Sequence, residues 1–249
     1  MPSGVTGTIQ KPKKRGWWSR FKDGVRTLNG YREMASDPFL SEKLMWGGAN
    51  YAWGNYNTKR QATIPDEVRS KSRYAQSSYL KPESRPAMIG DAIYDSSLSD
   101  EQTAVYREGD RFHLGLRGTV LGADDLVSDM SIVNGTFDKN HSRVRETLDL
   151  LKAIGATPDN TTMYGHSLGG AIATEASAVT GIRSENFNTG VSPTRFSSNK
   201  YAHHHLIGGD YLSNSAIGNI PKEHMTVYEP RNPSKNAHTI DQFGYSDTE

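Results

Sequence analysis

The stretch Gly165-His166-Ser167-Leu168-Gly169-Gly170 constrains this chain more than any other. It reads Gly-x-Ser-x-Gly with one further glycine. Before it runs Asn160-Thr161-Thr162-Met163-Tyr164, short and rich in strand formers. After it comes Ala171-Ile172-Ala173-Thr174-Glu175-Ala176-Ser177-Ala178, small residues of good helix propensity. Strand, tight turn and helix are the setting in which Gly-x-Ser-x-Gly forms a nucleophile elbow. The serine then sits on a strained turn, and the residues two positions away must be small. Gly165 and Gly169 are expected to let strand and helix approach closely. The helix N-terminus directs its free N–H groups at the place where negative charge would develop.

The rest of the chain supplies a sheet to carry the elbow. Ala87–Tyr94 reads as a short helix. Thr103–Arg107 and Phe112–Leu116 read as a hairpin across Glu108-Gly109-Asp110. Val144, Leu148, Leu151 and Ile154 recur at helical spacing, and Gly155 stops that helix. The elbow helix is expected to end near Gly181. Further strands are expected at Ser184–Thr189, His203–Gly208 and Met225–Glu229. Strands alternating with helices predict a mainly parallel sheet with helices on both faces. Reactive groups then belong at the carboxyl ends of the strands.

Charge divides the chain at about residue 86. Residues 1–86 hold 16 Lys and Arg against 7 Asp and Glu, and residues 87–249 hold 13 against 21, which leaves the whole at +1. We therefore expect a basic, partly disordered arm and connector over 1–86 and a folded domain over 87–249. Lys11-Pro12-Lys13-Lys14-Arg15 is either a solvated tail, a polyanion-binding patch or an import signal. Trp17, Trp18, Phe21, Val25 and Leu28 follow at near-helical spacing, interleaved with Arg20, Lys22 and Arg26. Such a helix lies on an anionic membrane surface or packs on the body or on a partner protein. No specific nucleic-acid partner is expected. Residues 29–86 read as an extended connector with some local helix. Cysteine is absent, which excludes disulfides, thiol catalysis and cysteine-based zinc sites. No apolar run marks a secretory signal or a membrane span.

A serine hydroxyl needs a base, and the base needs a carboxylate to hold its ring. Behind an elbow of this kind the order is Ser, then Asp or Glu, then His. Asp210 follows the strand ending Leu206-Ile207-Gly208-Gly209 and is the candidate acid, with Glu229 as its rival. His238, in the loop after the last strand, is the candidate base, with His224 as its rival. His203, His204 and His205 alternate faces along one strand and do not converge on a metal. His166 is expected to pack beside the serine rather than act as base. For the oxyanion, the N–H of Leu168 is one donor and Thr119, in Leu116-Arg117-Gly118-Thr119, is the candidate second.

These stretches resemble the class 3 lipases, the group that includes the fungal triacylglycerol lipases. Gly165–Ala171 is similar to that family's elbow. Leu116-Arg117-Gly118-Thr119 is similar to its Phe-Arg-Gly-Thr/Ser segment, with Leu116 where Phe is usual. Asp125-Leu126-Val127-Ser128-Asp129 resembles its Asp-Trp-x-x-Asp stretch, with Leu126 where Trp is usual. The resemblance spans roughly residues 88–243. It implies an α/β-hydrolase fold, Ser167 as nucleophile, Asp210 and His238 completing the triad, and Thr119 and Leu168 as oxyanion donors. It further implies a cofactor-free serine ester hydrolase acting on a lipid or other carboxylic ester, in an intracellular or viral setting. Two other functions are compatible with the same residues: a non-catalytic binding protein on this fold, and an acyltransferase or thioesterase using the same triad. No apolar lid helix is evident in the sequence.

Overall fold

The computed structural model describes residues 60–118, 139–190, 199–210, 213, 217 and 220–244. The basic aromatic stretch, the connector up to residue 59, Thr119 and Asp125–Asp129 lie outside the described residues.

Among the described residues, nine strands form one sheet: β1 (Arg60–Gln61), β2 (Met88–Ile89), β3 (Ala92–Tyr94), β4 (Thr103–Glu108), β5 (Arg111–Leu116), β6 (Thr161–His166), β7 (Arg183–Phe187), β8 (Ala202–Ile207) and β9 (Met225–Tyr228). Their spatial order is β1-β9-β8-β7-β6-β5-β4-β3-β2. From β5 through β9 to β1 every neighbouring pair is parallel. β2 to β5 form an antiparallel edge. Among the described residues, three helices cover the sheet: α1 (Asp66–Ser77), α2 (Ser142–Ala153) and α3 (Leu168–Thr180). The architecture is thus α/β with a mostly parallel sheet.

Alternation along the strands sorts side chains to two faces. On one face Leu114, Leu116 and Met163 pack with Ile172, Ala173 and Ala176 of α3 and with Val144 and Leu151 of α2. Burying each of the larger side chains contributes about 1.5–3 kcal/mol. On the other face Tyr74 of α1 stacks on Tyr164 at 4.7 Å and on His113 at 4.8 Å, and meets Tyr106 edge-on at 5.5 Å. Lys71 of α1 reaches down to Glu185 of β7 at 3.0 Å. α3 ends as expected, with Gly181 at φ 74° closing it in the left-handed conformation.

Two expectations are corrected. The helix expected over Ala87–Tyr94 is a pair of antiparallel strands, β2 and β3, turning at Gly90, whose φ is +59°. The connector expected up to residue 86 already belongs to the folded body from Arg60. β1 pairs with β9, and α1 buries Val68, Tyr74 and Ala75 against the sheet. Among the described residues, no helix is long and apolar enough to cross a membrane.

Candidate active site

The site assembles where the parallel strands end. Ser167 follows β6 directly and stands at the start of α3, with φ 56° and ψ −126°. That backbone region is costly for any residue with a Cβ. The turn is held from several sides. Ser167 N–H donates to the Phe187 carbonyl at 3.2 Å, and the Ser167 carbonyl accepts from Gly170 and Gly190, each at 3.0 Å. The elbow's glycines are required by contact. A Cβ on Gly165 would collide with the Gly169 backbone, and one on Gly169 would collide with the Leu116 carbonyl. Strand, helix and β5 are therefore closer here than side chains permit.

Asp210 follows β8 after a tight turn, its N–H bonded to the Ile207 carbonyl at 3.2 Å. His238 lies between β9 and a single 3-10 turn at Ile240–Gln242. Asp210 Oδ2 is 2.9 Å from His238 Nδ1, and His238 Nε2 is 2.9 Å from Ser167 Oγ. A carboxylate only accepts, so Nδ1 carries the hydrogen and donates. Nε2 then offers its lone pair to the Ser167 hydroxyl. All three side chains are buried. Ser213, which the sequence reading did not single out, donates its hydroxyl to the same Asp210 Oδ2. It shares that oxygen with His238 and helps hold the carboxylate in place.

The rival residues are elsewhere. Glu229 is exposed and faces Arg60 at 3.4 Å. His224 belongs to the 3-10 turn before β9. His203 and His205 share the face of α1, where they contact Thr226 and Glu185. His204 points the other way, to Thr189 at 3.0 Å. Among the described residues no cluster of His, Asp and Glu is arranged to hold a metal ion.

Leu168 occupies the first position of α3, so its N–H is one of the free donors of the helix start. Thr119 lies outside the described residues, but Gly118 before it is placed. A Cβ there would stand 3.1 Å from Ser167 Cβ, so the segment leaving β5 runs directly beside the serine. His166 is buried, its Nε2 2.7 Å from the His238 carbonyl oxygen, with burial and the nearby His238 holding its pKa down at about 3. Asn188, at the end of β7 with φ 42°, donates to the Ala237 carbonyl at 2.8 Å and so fixes the loop that carries His238. Neither contact was legible in the sequence, because both partners lie about fifty or more residues away.

No protein-family model matches the sequence, and no curated protein matches it.

Proposed function

We propose that the chain is a serine ester hydrolase on an α/β-hydrolase fold, similar in its site to the class 3 lipases. The observation that carries this reading is the hydrogen-bonded line Asp210–His238–Ser167, with the serine on a strained turn at a helix start. His238 takes the Ser167 proton as the oxygen attacks an acyl carbonyl. Asp210 stabilises the imidazolium that results. The tetrahedral oxyanion faces the Leu168 N–H and, in this reading, that of Thr119. Collapse expels the alcohol, which takes its proton from His238. Water, deprotonated by the same ring, then releases the acid from the acyl-enzyme. The substrate class is a lipid or other carboxylic ester, and residues 1–28 are proposed to favour an anionic lipid surface.

Turnover of p-nitrophenyl esters of increasing chain length tests the reading. Ser167→Ala is expected to abolish hydrolysis. Asp210→Asn and His238→Ala should each cost about four orders of magnitude in kcat. Glu229→Gln should be nearly silent, because Glu229 sits on the surface beside Arg60. A silent Asp210→Asn would overturn the assignment of the acid. If the folded wild type turns over no ester, the binding-protein or acyl-transfer alternatives take its place.

A further inference from the structure

Two histidines stand side by side at the elbow, their ring centroids 5.1 Å apart, and their partners differ in kind. His238 has a carboxylate at Nδ1. His166 has a phenol there: Tyr79 Oη lies 2.7 Å from its Nδ1. On its other side His166 Nε2 lies 2.7 Å from the backbone carbonyl oxygen of His238. A carbonyl only accepts, so Nε2 carries the hydrogen. In the neutral ring Nδ1 is then the acceptor, and Tyr79 donates its hydroxyl hydrogen to it. The Tyr79 oxygen in turn accepts the Gly118 N–H at 3.1 Å. The result is a directed chain from Gly118 N–H through Tyr79 O–H and the His166 ring to the His238 carbonyl.

Both ends of this chain, and its middle, are parts of the site. Gly118 lies just after β5, beside Ser167. His166 is the residue before Ser167. His238 is the base. Tyr79 comes from the turn just after α1, on a segment with no other part in the chemistry. A Cβ on Gly118 would collide with Tyr79 Oη, so the contact is closed on both sides.

The choice of a phenol has a chemical reason. A carboxylate at Nδ1 would favour a charged His166. A second imidazolium at this distance would oppose the proton transfer that His238 must accept. A neutral donor keeps His166 uncharged and fixes its tautomer. Two adjacent histidines are thereby given different tasks by their partners.

We infer that Tyr79 and His166 are positioning residues: together they set the His238 backbone and the segment leaving β5 at their distances from Ser167. This rests on the reading of Ser167, Asp210 and His238 as a catalytic triad.

Ester kinetics and histidine NMR test it together. His166→Phe keeps the ring volume and removes both bonds; kcat should fall about 50-fold or more with KM within about 3-fold. His166→Gln retains an amide donor toward the His238 carbonyl and should recover kcat to within about 10-fold of wild type. Tyr79→Phe should cost about 10-fold, and the double variant Tyr79→Phe/His166→Phe should be no worse than His166→Phe within about 2-fold, since one chain is cut twice. Equal losses in the Gln and Phe variants, or additive losses in the double variant, would overturn the inference. Nitrogen-15 spectra of the wild type should show His166 as the Nε2–H tautomer, neutral at pH 5, and His166→Phe should move the His238 ring resonances. A titrating or Nδ1–H His166, or unmoved His238 resonances, would overturn it even if a variant proved too unstable for kinetics. Absence of turnover in the wild type would instead sink the hydrolase reading, and the spectra would still decide whether this pair holds His238.

Discussion

Ser167 keeps a backbone conformation that suits glycine better than serine, and it does so with its side chain bonded to nothing but His238 among the described residues. The strain is offset by the bonds around the turn. Removing it has a measurable signature. Ser167→Gly should be more stable than Ser167→Ala by about 1 kcal/mol in urea unfolding, because only glycine relieves the turn. Equal stabilities would mean that the turn stores no strain. Ser167, Asp210 and His238 were legible in the sequence because each is tied to a strand end and a fixed chain order. Ser213, Tyr79 and Asn188 were not. Tyr79 and Asn188 act through hydrogen bonds to residues 87 and 49 positions away, and Ser213 through one to Asp210 three positions back; a lone serine, tyrosine or asparagine in a turn carries no local mark of its partner.

At the scale of elements, the site depends on how closely α3 lies against β5 and β6. Gly169→Ala forces a methyl group into the Leu116 carbonyl. It should destabilise the fold by about 2–3 kcal/mol and lower activity by displacing the helix start. Wild-type stability and turnover in that variant would contradict the packing described. The parallel strands and α3 were readable because their apolar runs and the glycine stop are strong local signals. α1 was missed because the positions it turns to the sheet include Ser72, Ala75 and Ser77, so its apolar periodicity is weak. β2 and β3 were misread because their strands are two and three residues long, too short to show alternation. The Gly90-Asp91 turn between them was the signal that could have separated them.

Across the whole molecule, buried histidines link stability to pH. Burial, followed by neighbouring histidine charge, holds both His166 and His204 at about 3. An unfolded histidine titrates near 6.5. Between roughly pH 4 and 6 the unfolded chain therefore binds protons that the folded chain refuses, so stability falls as pH drops. The two groups give a slope of about 2.7 kcal/mol per pH unit. Burial alone would raise Glu185, but His205 and then Lys71 outweigh it and hold that carboxylate at about 2. Its stabilisation is present above the unfolded value near 4.3 and is lost as pH falls from there toward 2, adding to the histidine effect. Urea unfolding across pH 4–7 checks this: His204→Asn should lower the slope by about one proton, and an unchanged slope would contradict it. The same folded body must deliver an activated serine, and that is the central claim. Intact-mass measurement after exposure to a fluorophosphonate tests it most directly. The account predicts a single adduct on the wild type and none on Ser167→Ala. A folded wild type that takes no adduct, or an adduct that persists in Ser167→Ala, would contradict it.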